Sequence, residues 1–207
     1  MTYRRLISKV TMQQDLLTSM ADEILRNATR PTTTGRRRKG KLSGKSKSPF
    51  IDDSQGVHVF ADGACEPNPG PGGWAYIVIV DGQEAHSASG AAPATTNNRM
   101  ELAAVLAALE WISENAAGRP VALYSDSQYV VSGCNEWRHG WKRKSWKRGA
   151  APVLNADLWQ AIDTALVDRP QALTWCKGHS GVRGNVRADK LAGEALSALK
   201  RADRRAA

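Results

Sequence analysis

The sequence predicts a mixed α/β fold in which helices cover the faces of a five-stranded sheet. Three strand-like segments follow one another between residues 57 and 90, and helical and strand-like segments alternate after them. A meander followed by such alternation is typical of a mixed sheet with helices on its faces. With 207 residues, 42% of them hydrophobic, the chain can bury one core, so we expect one domain with an extension.

The first three strands are predicted to form an antiparallel meander. The segments VHVFA at 57–61 and WAYIVIV at 74–80 are rich in β-branched and aromatic residues, and EAHSASG at 84–90 is a weaker match. Asp81 and Gly82 form a hairpin-turn signal between the second and third segments.

A long helix is predicted over residues 97–118, because its apolar residues recur at helical spacing. Asn97 or Asn98 can cap its start, and Gly118 can end it. The remaining predicted elements are a strand at 121–125, a short helix after Ser127, a helix from Asn155 to about Val167, a strand at 172–176 and a last helix over roughly 185–200.

The first 55 residues are predicted to form a basic, largely disordered extension of a domain that covers residues 56–200. They carry 12 Lys and Arg residues against five acids, so they account for +7 of the net charge of +9. Residues 11–27 have apolar residues at the spacing of a short amphipathic helix, and residues 30–49 have the composition of a flexible linker. The extension either adds affinity for nucleic acid or is a solvated tail. Residues 201–207 are predicted to form a basic tail.

Several classes of protein are disfavoured by the composition. No apolar run is long enough to span a bilayer, and the basic start has no secretory cleavage pattern. Acids within residues 11–27 argue against a mitochondrial presequence. The three widely spaced cysteines do not suggest a zinc site. We therefore expect a cytoplasmic monomer with free thiols, no membrane contact and no obligate protein partner.

Four acidic residues occupy comparable places in the predicted elements. Asp62 and Asp126 come at the ends of the first and fourth strands, and Glu101 and Asp189 lie early in two helices. Each alone has a simpler explanation as a turn, cap or solvated residue. If the two strands are neighbours, however, the four carboxylates converge and need cations to offset their repulsion. Oxygen ligands favour Mg²⁺ or Mn²⁺, and paired metal ions are a standard means of hydrolysing phosphodiesters.

Six motifs make the chain resemble type 1 ribonuclease H of the bacterial kind, in the order and spacing of that family. They are ADGACEPNPGPGGWAY, TTNNRMELAAVLAALE, YSDSQYV, EWRHGWKRKSW, NADLW and WCKGHSGVRGNVRADKLA, and they extend from about residue 56 to residue 200. The resemblance implies the RNase H fold, with strands in the order 3-2-1-4-5. It also implies Mg²⁺-dependent endonucleolytic cleavage of the RNA strand of RNA/DNA hybrids, with Mn²⁺ as a possible substitute and with 5′-phosphate and 3′-hydroxyl products.

The resemblance also implies roles for individual residues. The metal-binding and catalytic acids of the family fall on Asp62, Glu101, Asp126 and Asp189, and its mobile histidine, which can relay a proton, falls on His179. Hybrid contacts fall on Cys65, Asn68, Thr96, Asn97, Asn98, Gln128, Trp137, Lys142 and Trp146. Aromatic and basic residues interleaved in this way suit a sequence-independent grip on a nucleic-acid strand.

The other aromatic residues have structural interpretations. His58 and His86 lie in predicted strands, and Trp111, Trp159 and Trp175 are expected in the core. At least one of Trp141 and Trp146 is expected to pack beneath the basic loop.

Some residues depart from the family pattern. Leu154 stands where relatives often have Lys, and Val186 lies in a loop that is usually more acidic. Two other functions stay open: a noncatalytic nucleic-acid-binding module on the same fold, and a DNA-acting enzyme such as a transposase or resolvase. The intact acid set argues against the first. The amide-rich segments argue against the second.

Overall fold

The computed structural model describes residues 51–206, so the predicted helix at 11–27 and linker at 30–49 lie outside the described residues. The strands are β1 (Val57–Cys65), β2 (Gly70–Val80), β3 (Gln83–Thr95), β4 (Val121–Ser125), β5 (Lys147–Arg148), β6 (Ala151–Pro152) and β7 (Leu173–Trp175). The helices are α1 (Asn97–Asn115), α2 (Gln128–Ser132), α3 (Arg138–Arg143), α4 (Ala156–Asp168) and α5 (Arg183–Ala206), with a π-helical segment (Gly133–Trp137) between α2 and α3.

Five strands form one mixed sheet in the order β3-β2-β1-β4-β7, which confirms the predicted order. The pairs β1–β2 and β2–β3 are antiparallel, whereas β1–β4 and β4–β7 are parallel. The fifth strand of this sheet is numbered β7 because β5 and β6 form a separate two-stranded hairpin. The first and fourth strands are therefore adjacent, as the convergence of the acids requires.

The two faces of the sheet bury different helices because side chains alternate along each strand. On one face, Val57, Val59 and Ala61 of β1 join the larger core, to which α1 and α4 contribute. On the other face, Phe60 packs with Ala188 of α5. Helix α5 also packs against β2 and β3.

The observed elements differ from the predicted ones mainly at their ends. Strand β1 continues to Cys65, so Asp62 lies within the strand, paired with Ala75, and not at its end. Helix α5 begins at Arg183 and extends to Ala206, so most of the predicted basic tail belongs to this helix. The π-helical segment and the short β5–β6 hairpin have no counterpart among the predicted elements.

The helices described within residues 51–206 include none that is both long and apolar enough to cross a membrane.

Candidate active site

The register of β1 and β4 brings two of the predicted acids to one edge of the site. Phe60 in β1 lies opposite Tyr124 in β4, and their rings stack with centroids 4.7 Å apart. Two residues further along each chain, on the same face, are Asp62 and Asp126. Parallel strands in register therefore account for the proximity of these two carboxylates.

Gly63 lets helix α1 come close enough to β1 to deliver Glu101. A Cβ atom at Gly63 would lie 2.3 Å from the backbone nitrogen of Glu101, so any larger residue would push the helix away. The start of α1 is fixed by Thr96, whose hydroxyl caps the helix by accepting a hydrogen bond from the backbone N–H of Arg99. Glu101, the fifth residue of the helix, consequently faces the carboxylates of the strands.

Helix α5 and the loop before it contribute the remaining two predicted residues. Asp189 lies on α5, and Nδ1 of His179 is 3.7 Å from its Oδ2 atom. The His179 side chain is 86% exposed and its backbone has a φ of 51°, so the imidazole projects into solvent above the site. Asp62, Glu101, Asp126, His179 and Asp189 all line one open pocket of about 500 Å³.

The electrostatics of this pocket are those of crowded carboxylates. Burial, followed by the neighbouring charge of Asp126, raises the pKa of Asp62 to about 8. Burial also raises the pKa of Glu101, and the charge of Asp126 adds to this effect. Within residues 51–206, no Lys or Arg side chain forms an ion pair with any of the four acids. The negative charge of the pocket is therefore not offset by any Lys or Arg side chain that the structure describes.

The donor set suits a hard divalent cation, but it is not a closed ligand cage. All four acids offer carboxylate oxygens, which Mg²⁺ and Mn²⁺ prefer. Among the described residues, no group of three or more His, Cys, Asp and Glu side chains is gathered closely enough to hold a metal ion without rearrangement. Bound cations would therefore have to draw these carboxylates together, and their positive charge would offset the mutual repulsion of the carboxylates.

Hydrogen bonds orient Glu101 from two sides. The Nδ2 group of Asn97 donates to Oε1 over 2.8 Å, and the hydroxyl of Ser127 donates to Oε2. Asn68 is connected to the same group of residues, because its side-chain oxygen accepts a hydrogen bond from the backbone N–H of Asn97 over 3.2 Å. The hydrogen bonds from Ser127 and Asn97 lower the pKa of Glu101, although burial raises it by a larger amount.

The structure brings only some of the predicted hybrid-binding residues to this pocket. Cys65 and Asn97 line it, and the Cys65 thiol lies 3.2 Å from the carbonyl oxygen of Pro67, within the turn that follows β1. Gln128 is exposed at the start of α2. Thr96 and Asn98 lie at the start of α1, outside the pocket lining.

One of the predicted aromatic and basic residues, Trp137, lies on a second surface. Trp137, which is 42% exposed, lines a pocket of about 570 Å³ with Trp141, Arg148 and Leu154. We call these four residues the tryptophan surface. Lys142 forms an ion pair with Asp163 over 2.7 Å, and Trp146 packs partly buried against the larger core. Trp141 also packs partly buried against this core. At least one of Trp141 and Trp146 was expected to pack beneath the basic loop, and both rings pack inward against the core.

One predicted core residue proved to be exposed. Trp175 is 40% exposed, and its indole N–H donates to the backbone carbonyl of Asp126 over 2.8 Å. The prediction was wrong because β7 is an edge strand of the sheet, so one face of this residue is left uncovered. Trp159, in contrast, is fully buried, as predicted.

Two polar residues beside the acids were missed by the sequence interpretation. Ser127 donates to Glu101, and Asn185 donates through Nδ2 to Oδ2 of Asp126 over 3.1 Å. A signal for Asn185 was present, because a residue four positions before Asp189 faces the same side of a helix. Ser127 carried a weaker signal, since a Ser after a strand is more simply interpreted as a helix cap.

Comparisons with known proteins agree on one family. The family model described as RNase H matches residues 54–197 of this chain. A protein named Ribonuclease H from Cupriavidus metallidurans is 48% identical over 150 residues, which cover 70% of this chain and 98% of the relative.

Solved structures with a similar fold include LC9-RNase H1, described as a type 1 RNase H with the type 2 active-site motif. Its TM-score is 0.59 at 31% identity, and the match covers 72% of this chain and 75% of that one. A foamy viral protease-reverse transcriptase in complex with RNA/DNA hybrid has a TM-score of 0.61 at 20% identity. That match covers 81% of this chain and only 22% of the viral one, and it shows the fold alone.

Proposed function

Because this chain belongs to the RNase H family, we propose that it hydrolyses the RNA strand of RNA/DNA hybrids as an endonuclease. The predicted resemblance to type 1 ribonuclease H is confirmed by the match over residues 54–197. The observation that carries the proposed activity is the set of four carboxylates around one pocket without a Lys or Arg partner among the described side chains. Such a pocket repels a phosphodiester unless cations occupy it.

In this proposal, the carboxylates of Asp62, Glu101, Asp126 and Asp189 hold two divalent cations, either Mg²⁺ or Mn²⁺ in its place. Bound cations would supply charge stabilisation at the phosphate and a more acidic water. The chain itself contributes orientation. Asn97 and Ser127 fix Glu101, and the parallel register of β1 and β4 fixes Asp62 beside Asp126. We propose products with 5′-phosphate and 3′-hydroxyl ends.

We assign to His179 the movement of a proton at the open side of the pocket. Its imidazole is exposed and lies near Asp189, so it can exchange protons with solvent and with groups in the pocket. A positioned acid or base of this kind typically contributes about 10²–10⁴-fold to the rate.

Discrimination between RNA and DNA requires groups that sense the 2′-hydroxyl. We propose that Cys65, Asn68, Asn97, Asn98 and Gln128 contact the hybrid near the carboxylates. Support comes from the position of Cys65 and Asn97 in the pocket lining and from the hydrogen bond that joins Asn68 to Asn97.

The DNA strand is proposed to lie on the tryptophan surface, with Lys142, Trp146 and Thr96 as further contacts. The exposure of Trp137 and the presence of Arg148 beside it support this assignment, because aromatic faces and cations suit a sequence-independent grip. We further propose that the protein acts as a monomer in the cytoplasm.

The second candidate is a noncatalytic module that binds hybrids on the same fold, since a fold does not by itself determine an activity. One observation favours it: the four acids form no closed ligand set for a metal ion. Against it, crowded carboxylates weaken the binding of a polyanion, so a module that only binds would gain nothing from them.

Cleavage assays distinguish the two candidates. The full chain and Asp126→Asn would be given a labelled RNA/DNA hybrid, single-stranded RNA, duplex RNA and duplex DNA in the presence of Mg²⁺. We expect the wild-type protein to cleave only the RNA strand of the hybrid and Asp126→Asn to leave it intact. Binding of the hybrid without cleavage in either Mg²⁺ or Mn²⁺ would identify the binding module instead.

A further inference from the structure

Asn185 is a buried polar residue with no part in the chemistry proposed above. It is 2% exposed and lies near the start of α5. Buried amides are satisfied within the protein, because an unpaired donor or acceptor costs free energy. Its Nδ2 group donates to Oδ2 of Asp126 over 3.1 Å, and its Oδ1 atom accepts a hydrogen bond from the thiol of Cys176 over 3.3 Å.

The Cys176 thiol and the Asp126 carboxylate select the same orientation of this amide. A carboxylate only accepts hydrogen bonds, whereas an amide donates through nitrogen and accepts through oxygen. Burial, together with the charges of Asp126 and Asp62, raises the pKa of Cys176 to about 12, so its sulfur keeps its proton at neutral pH. A protonated thiol donates to Oδ1 and thereby leaves Nδ2 directed at Asp126.

The surrounding backbone restricts the same carboxylate. A Cβ atom at Gly178 would lie 2.4 Å from Oδ2 of Asp126, so the chain passes very close to the carboxylate there. The indole of Trp175 holds the backbone carbonyl of Asp126. The Asn185 amide is thus the polar partner of a carboxylate that has little free space on the side of Gly178.

We infer that Asn185, held in orientation by the Cys176 thiol, is a positioning residue that fixes the Asp126 carboxylate in the candidate active site. This inference rests on the proposed function, because the orientation of Asp126 matters if that carboxylate holds a cation. Mutation of a residue that donates a hydrogen bond to a metal-binding side chain typically lowers metal affinity or activity about 10–100-fold.

Asn185→Ala in the full chain tests this role against a purely structural one. Asn135→Ala is the matched control, because the Asn135 amide also bonds on two sides, to the backbone of Leu173, but does not contact the acids. Three quantities would be measured: Mn²⁺ affinity without substrate by titration calorimetry, the Mg²⁺ concentration for half-maximal hybrid cleavage, and thermal unfolding without metal.

We expect Asn185→Ala to weaken Mn²⁺ binding about tenfold and to raise the Mg²⁺ midpoint by a similar factor. Asn135→Ala is expected to lower the unfolding temperature while leaving both metal measurements near those of the wild type. Wild-type metal affinity in Asn185→Ala would overturn the inference. If wild type fails to cleave the hybrid, the proposed function fails, and the Mn²⁺ titrations still decide the role of Asn185.

The Cys176 variants provide a test that does not require Asn185→Ala to fold. Cys176→Ser keeps a hydrogen-bond donor, whereas Cys176→Ala removes it. We expect Cys176→Ala to weaken Mn²⁺ binding severalfold and Cys176→Ser to retain most of the wild-type affinity. Equal affinities in the two variants would contradict the orienting role of the thiol.

Discussion

Two buried aspartates, Asp163 and Asp62, have opposite electrostatic surroundings. Asp163 accepts a hydrogen bond from Arg138 over 2.5 Å and forms an ion pair with Lys142 over 2.7 Å. Burial by itself would raise the pKa of Asp163, but these hydrogen bonds and charges outweigh it and hold the pKa below its usual value. The protein thus supplies the cations for this carboxylate.

Asp62 is 8% exposed, and its only hydrogen bond within the described residues comes from the backbone N–H of Gly63, over 2.7 Å. The nearest charges are those of Asp126, Asp189 and Glu101, all of the same sign, and they add to the effect of burial on its pKa. Asp62 therefore destabilises the fold when it is ionised, whereas Asp163 stabilises it.

The difference in electrostatic surroundings between Asp163 and Asp62 distinguishes a structural carboxylate from one that is available to bind a cation. A carboxylate paired with Arg and Lys fixes two elements together, here α3 and α4. A carboxylate left among like charges costs stability, and proteins accept such costs mainly at functional sites. Substitutions of Asp163, Asp62 and Trp137, each measured beside a reference protein, test this contrast between the two kinds of carboxylate.

Loss of Asp163 is expected to have the largest effect on stability. In Asp163→Asn, Arg138, whose side chain is 14% exposed, loses its charged partner, and removing one member of a largely buried ion pair costs about 3 kcal/mol. Urea unfolding at pH 7 measures this loss. Asp157→Asn is the control, because Asp157 and Arg99 form an exposed pair that is expected to contribute less than about 1 kcal/mol. Equal losses in the two variants would contradict the structural role of Asp163.

Loss of Asp62 is expected to change stability in the opposite direction. The folded protein binds the Asp62 proton more tightly than the unfolded chain, because its pKa is raised from 3.8 to about 8. Stability without metal therefore falls as the pH rises between about 4 and 8. Since one pKa unit corresponds to about 1.4 kcal/mol, the rise of the pKa from 3.8 to about 8 sets an upper limit of about 6 kcal/mol. Water in the open pocket screens these charges, so we expect Asp62→Asn to be more stable than wild type at pH 8 by about 2 kcal/mol.

Unfolding free energies in chelator at pH 4.5 and pH 8 test this prediction. The gain in unfolding free energy of Asp62→Asn over wild type should be small at pH 4.5, because Asp62 is protonated in the folded protein at that pH. Added Mg²⁺ should stabilise wild type at pH 8 more than the variant. The prediction fails if the variant gains no stability relative to wild type between the two pH values.

The convergence of the acids was predictable because it follows from the strand order. Once β1 and β4 are neighbours, Asp62 and Asp126 lie on the same face two residues beyond Phe60 and Tyr124. The end of β1 was not predictable in this way. Gly63, with its low strand propensity, is held in the strand by pairing with Trp74, which is a tertiary effect.

The hydrogen bonds around the acids were beyond prediction for a different reason. Asn185 faces Asp126 only because α5 packs across β1 in one particular orientation, with Gly184 against the ring of Phe60. Helical periodicity can place Asn185 on the same side as Asp189, but it cannot determine which strand residue lies opposite. The orienting contacts therefore required the structure, whereas the acids themselves did not.

The smallest predicted effect concerns the tryptophan surface, which the Asp163 cluster supports. Arg138 and Lys142 lie in α3, directly after Trp137, so their pairing with Asp163 fixes the segment that presents this ring. Trp137 is exposed, whereas the ring of Trp141 packs 5.2 Å from that of Trp159 in the core. Trp137 is therefore available to stack on a nucleic-acid strand, and Trp141 mainly supports it.

We expect Trp137→Ala to raise the KM for the hybrid about tenfold with little change in kcat, because one aromatic stacking contact contributes about 1–3 kcal/mol. Steady-state cleavage of the hybrid measures both constants. Trp141→Ala is the comparison, and it should lower the unfolding temperature more than Trp137→Ala does, because it removes core contacts. A lower kcat at unchanged KM in Trp137→Ala would mean that this ring acts on the carboxylate pocket and not on strand binding.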